Sequence, residues 1–148
     1  MKALKKFTFI LCIATCLLSC SKNDEDSGDC TLCSYTKTAN ETAGTVASSL
    51  DGKYELTMHH ADAKSPFADG TKANFTISKN VLTVEISGEE CMTLKNPILT
   101  TAGSTEVKFK DTCNKNITYD VSMTPSGELN EINISDLNGT WLGQFNDR

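Results

Sequence analysis

The 148-residue sequence holds no apolar run long enough to cross a bilayer comfortably as a stable helix; the longest, Phe7 to Leu18, has twelve residues. No segment repeats its apolar residues with a helical period, which argues against a helical bundle. Gly-x-Ser-x-Gly, P-loop and zinc-protease motifs are missing, so the common hydrolase and nucleotide chemistries have no foothold. Histidine occurs twice, so general bases are in short supply. Lys and Arg number 14 against 19 Asp and Glu. That balance argues against nucleic acid and polyphosphate partners, which need basic surface to replace counterions.

What is present begins at the N-terminus. Lys2, Lys5 and Lys6 precede the apolar run, and Leu17-Leu18-Ser19-Cys20 closes it. A basic start, a short apolar stretch and a small residue before an abrupt change in polarity describe a secretory signal. The closing tetrapeptide resembles the lipobox of bacterial lipoproteins. That resemblance implies cleavage before Cys20 and acylation of its thiol and new amino group, and buried acyl chains then hold the protein on a membrane. Ser21 to Asp29 is polar, charged and free of aromatics, as a solvated tether is. Its Lys22 followed by Asp24, Glu25 and Asp26 resembles the export signal of Bacteroidetes surface lipoproteins, which implies an outer-membrane protein exposed on the cell surface, the periplasmic face being the alternative. Without residues 1–20 the chain keeps 11 basic and 19 acidic residues, a net charge of −8. The expected membrane contact is therefore through the lipid alone.

From Leu50 onward the apolar residues alternate with a period of two. Tyr54, Leu56 and Met58 form one such set; Ala73, Phe75 and Ile77 another; Leu82, Val84 and Ile86 a third. Val107 and Phe109, then Ile117, Tyr119, Val121 and Met123, then Ile132 and Ile134 continue the series, with Met92 to Leu94 and Trp141 to Phe145 as shorter candidates. Each reads as a strand with one buried and one wet face. Turn residues separate them at Ser78-Lys79-Asn80, Ser87-Gly88-Glu89, Thr124-Pro125-Ser126-Gly127 and Leu137-Asn138-Gly139. The pattern predicts an all-β domain over residues 50–148: an antiparallel meander of about eight strands closing into a small barrel, which removes exposed edges, with a two-sheet β-sandwich as the alternative. Residues 21–49 are expected to be tether and linker.

Four cysteines remain after the signal and Cys20: Cys30, Cys33, Cys91 and Cys113. An even number in an oxidising compartment points to disulfides. The meander places the start of the strand after Cys91 at the same end as the connection that carries Cys113. The expected pairing is Cys30–Cys33 and Cys91–Cys113. Half a zinc site is the competing reading of Cys30-Thr31-Leu32-Cys33, but Cys91 and Cys113 do not make a second close pair.

Gly52-Lys53-Tyr54-Glu55-Leu56 resembles the first-strand opening of lipocalin-type and fatty-acid-binding barrels, and the connection from Ala61 to Gly70 falls where lipocalins carry a mouth loop. The resemblance implies a calycin-like barrel binding a small apolar or amphipathic ligand, with Tyr54, Leu56, Phe75, Val84 and Tyr119 lining its interior. A surface interaction module with a packed core and an exposed apolar or aromatic patch is the second expectation, a protein being its partner. Copper-handling envelope lipoproteins also combine a lipid anchor, a Cys-x-x-Cys and a small barrel, though here the Cys-x-x-Cys precedes the β pattern. His59 and His60, the only histidine cluster, give a third reading, metal handling through them and the cysteines; consecutive strand residues point to opposite faces and share an ion poorly. Glu89 and Glu90 sit side by side at a turn, not across a cleft as a glycosidase pair does. No cofactor is expected and no catalytic set is assembled, so the reading is of a non-catalytic protein.

Overall fold

The computed structural model describes residues 30–148; the signal-type segment, Cys20 and the stretch to Asp29 lie outside the described residues. Ten strands form: β1 Thr31–Ser34, β2 Gly52–His59, β3 Lys72–Ser78, β4 Val81–Ile86, β5 Met92–Lys95, β6 Ile98–Leu99, β7 Val107–Asp111, β8 Ile117–Met123, β9 Leu129–Asp136 and β10 Trp141–Asn146. The fold is all-β, as the alternation predicts, and one 3-10 turn at Ser48–Leu50 is its only helical element among the described residues. Apolar residues on alternate positions of β2, β3, β4, β7 and β8 are buried, so each strand turns one face to a common core.

All ten strands belong to one sheet, in the order β1-β5-β4-β3-β2-β10-β9-β8-β7-β6. The first and last strands of the meander meet, β2 pairing antiparallel with β10. The ladder is open between its end strands β1 and β6, so full closure, expected from the need to hide edges, is not reached. Yet Lys95 of β5 and Ile98 of β6 are separated only by Asn96 and Pro97, so β6 begins beside the β5 end of the sheet. Asn96 adopts a φ of 62°, and Pro97 has no amide hydrogen to donate. The chain thus steps across the seam without pairing over it.

The N-terminal segment fills that seam, and the expected boundary at Leu50 is corrected by it. β1 adds to β5 in parallel, the one parallel pair in an otherwise antiparallel sheet. Further on, Ala43 bridges Ile98, Gly44 N–H donates to the Pro97 carbonyl at 2.8 Å and Leu99 N–H donates to the Thr42 carbonyl at 2.9 Å. Residues from Cys30 to Val46 therefore form a strap over both lips of the opening, with Cys33 and Val46 buried in the core. Glu41 locks the strap. It ion-pairs with Lys110 of β7 at 2.5 Å, and its other oxygen accepts from the Tyr35 hydroxyl at 2.8 Å and the Thr38 amide at 2.7 Å.

All four cysteines among the described residues are paired, but as Cys30–Cys91 and Cys33–Cys113. The expected pairing fails because β1 is extended. Residues three apart in a strand are roughly 10 Å apart and face opposite ways, beyond the reach of a disulfide. Cys30 instead lies beside Cys91, Cα to Cα 4.7 Å, and Cys33 turns inward to the loop after β7, where it meets Cys113.

Candidate functional site

The barrel interior is filled, and the expected ligand cavity is corrected accordingly. Leu56, Phe75, Val84 and Tyr119 do converge, as core. Phe75 packs edge-on against Tyr119 at 6.1 Å and against Phe145 at 5.2 Å between ring centroids. Phe67, from the connection expected to be a mouth loop, folds in against Phe145 at 5.8 Å and stops that end of the barrel. The space left between residues including Phe67, Val84, Met92 and Tyr119 is about 10 Å³, room for one water at most. Tyr54 is half-buried, its hydroxyl donating to the Leu50 carbonyl at 2.8 Å. Burial, with the Asp111 and Glu89 carboxylates adding to it, pushes the Tyr119 phenol far above its ordinary range, so it stays neutral.

β2 ends at His59, and His60 turns the chain with a φ of 54°. Their ring centroids lie 6.4 Å apart. The one cluster of potential metal ligands among the described residues joins Glu85 to Cys30 and Cys91, whose sulfurs are bonded to each other and so offer no thiolate.

The outer faces remain. Over β2 to β4 lies an open hollow of about 770 Å³, lined by residues including Lys53, Glu55, Asn74, Thr76, Thr83 and Glu85. The opposite side, over β8 to β10, carries Trp141. Its side chain faces solvent because β10 is bulged: Trp141 pairs with Ser135, but Gly143 pairs with Ile134, leaving Leu142 as the extra residue. In a regular strand Trp141 and Phe145, four residues apart, would share a face. With the bulge, Phe145 is fully buried and Trp141 is 45 % exposed. Gly143 makes the bulge possible. Its φ is 143°, and a Cβ there would lie 2.6 Å from Met58 Cε.

Trp141 is held in place. Its Nε1 donates to Asn133 Oδ1 at 3.2 Å, and Asn133 Nδ2 donates to Glu131 Oε1 at 2.9 Å. Register places His59, Gln144, Asn133, Asp120 and Lys108 in one transverse row across five strands. The next row runs Trp141, Ser135, Thr118, Lys110. Thr118 and Ser135 are buried although they lie on the outer face; their hydroxyls are 2.6 Å apart, and Ser135 donates to Asp120 Oδ2 at 3.3 Å. Burial pushes the Asp120 carboxyl above its ordinary range, against the pull of Lys108 and of the two hydroxyls. Leu137, in the hairpin before Trp141, is the other exposed large apolar side chain of this region.

Alternation in β8 and β9 puts Asp120 and Asn133 on the wet face; Gln144 is not marked by it. The exposure of Trp141 was hidden, and its only sequence signal is Gly143 within an otherwise regular short strand. The chain matches no known protein-family profile, no curated protein and no solved structure.

Proposed function

We propose that the protein is a non-catalytic binding module carried outside the cytoplasm on a lipid at Cys20, and that it meets its partner through the outer face around Trp141. The observation that carries this reading is the pinned, half-exposed indole on a domain whose interior is full. Aromatic side chains held rigid at a surface supply contact area at little entropic cost. The linked Thr118 and Ser135 hydroxyls and the Asp120 carboxylate belong to the same outer face. Two disulfides suit an oxidising compartment, as does the signal-type segment. Lys22 and the acids after it favour the outer-membrane surface, and a mature net charge of −8 favours partners other than nucleic acid.

The test compares full-length protein with its Trp141→Ala variant, both immobilised by a C-terminal tag. Each is offered soluble extract of the source cells' envelope and surroundings, in untreated, protease-treated and periodate-treated portions. The reading expects material retained by the wild type and lost from the variant. Equal retention by both would refute it.

A further inference from the structure

Among the described residues, three buried side-chain polar atoms have no hydrogen-bond partner, and two of them, His59 Nε2 and Asp120 Oδ1, lie on the same transverse row. Between them stand Asn133 and Gln144. Asn133 is tied to Trp141 and Glu131, while the Gln144 amide bonds to no other described side chain. Lys108 Nζ approaches Asp120 Oδ1 to 3.9 Å, an ion pair beyond hydrogen-bond distance. The two buried atoms are closed to solvent, so it is the unpartnered Gln144 amide, beside Asn133 and the exposed indole, that an added hydrogen-bonding layer would meet first.

Resting on the reading above, we propose that the partner of this face is a neutral saccharide of pyranose units. One ring stacks on the indole of Trp141, and its neighbours lie along Asn133, Gln144 and Asp120. Three features favour that chemistry. Adjacent strands are about 4.8 Å apart, so the four positions from His59 to Asp120 span about 14 Å, the length of a short oligosaccharide. Amides, a carboxylate and an imidazole in series offer the mixed donors and acceptors that vicinal hydroxyls satisfy, and the aromatic face accepts the apolar C–H side of the sugar. A protein partner is less well served, because Trp141 and Leu137 are the only exposed large apolar side chains here and a stable protein interface needs a broader apolar centre. An acidic polysaccharide meets a net charge of −8.

Trp141 is the only tryptophan in the chain, so tryptophan emission reports this face alone. The full-length protein, kept in a detergent without a sugar head group, is titrated to millimolar concentration with hexasaccharides of α-glucose, β-glucose, β-xylose, β-mannose and N-acetylglucosamine. At least one is expected to shift the emission saturably. Gln144→Ala and Asn133→Ala should each weaken that ligand at least tenfold with unchanged far-ultraviolet circular dichroism, and Trp141→Phe should bind more weakly by calorimetry. No saturable shift with any of the five overturns the proposal, and so does a shift indifferent to Gln144 and Asn133. Trp141-dependent retention from the extract that protease abolishes and periodate spares would overturn the saccharide while leaving the binding face standing. Loss of Trp141 dependence would remove both.

Discussion

Glu41→Gln tests whether the strap belongs to the folded domain. In the wild type the carboxylate is bound by Lys110, Thr38 and Tyr35, and the Lys110 ammonium also donates to the Tyr35 hydroxyl at 3.2 Å while lying 4.7 Å from the centre of its ring. Burial alone would raise the Glu41 carboxyl; the hydrogen bonds from Lys110, Thr38 and Tyr35 overcome it and hold the group at about 2, from an ordinary 4.5. At about 1.36 kcal/mol per pH unit the ceiling is about 3.4 kcal/mol. Solvent reaches this pair, so screening leaves about 1–2 kcal/mol. The sign follows from a depressed carboxyl. Its contribution is present above pH 4.5 and is lost as the pH falls towards 2. Urea unfolding of wild type and variant at pH 7, 4.5 and 2.5 should show the variant less stable by about 1–2 kcal/mol at pH 7, a midpoint lower by about 0.5–1 M. The gap should be nearly closed at pH 2.5. A gap independent of pH, or none at neutral pH, would show that the ionised carboxylate does not hold the strap to β7.

Other consequences of the same architecture are separately measurable. A Cβ on Gly44 would lie 2.7 Å from Val107 Cγ1 and 2.9 Å from the Ile98 carbonyl carbon, so Gly44→Ala should destabilise thermal unfolding by about 1–3 kcal/mol; an unchanged melt would mean the strap is not pressed onto the seam. Peptide mapping without reduction should recover Cys30–Cys91 and Cys33–Cys113, and replacing both Cys33 and Cys113 by Ser should cost about 4 kcal/mol for a loop of separation 80. A Cys30–Cys33 peptide would contradict the extended β1. Phe75→Ala should cost about 3–5 kcal/mol in chemical unfolding, and a loss under about 1 kcal/mol would point to a loosely filled interior.

Six strands were legible because alternate residues are apolar, the two-residue period of a strand with one buried face, and β5 and β10 were visible as shorter apolar stretches. Turn chemistry was legible at Gly88, Gly127 and Gly139, all with φ near +85°, because glycine takes left-handed angles without steric cost. β1 and β6 were not, having four and two residues and no alternation to read. The disulfide pairing was misjudged because Cys-x-x-Cys was taken as a local unit. Once Cys30-Thr31-Leu32-Cys33 is extended, its two cysteines must find different partners. The site was half legible. Asp120 and Asn133 fall on wet positions, but nothing short of the bulge at Leu142 and Gly143 turns Trp141 outward and sets Gln144 beside it. The interior was misread for a reason of volume: alternation gives the inward residues, not whether three phenylalanines and a tyrosine meet across the axis and leave no room.

The central claim is that recognition belongs to the outer face and not to the interior. Retention by full-length wild type is best set beside that of two variants: Trp141→Ala, which strips the face, and Phe75→Leu, which disturbs only the core. Loss with Trp141→Ala and near-normal retention with Phe75→Leu is the predicted result. Normal retention by Trp141→Ala with loss in a folded Phe75→Leu protein would place the binding site inside the barrel and contradict the account.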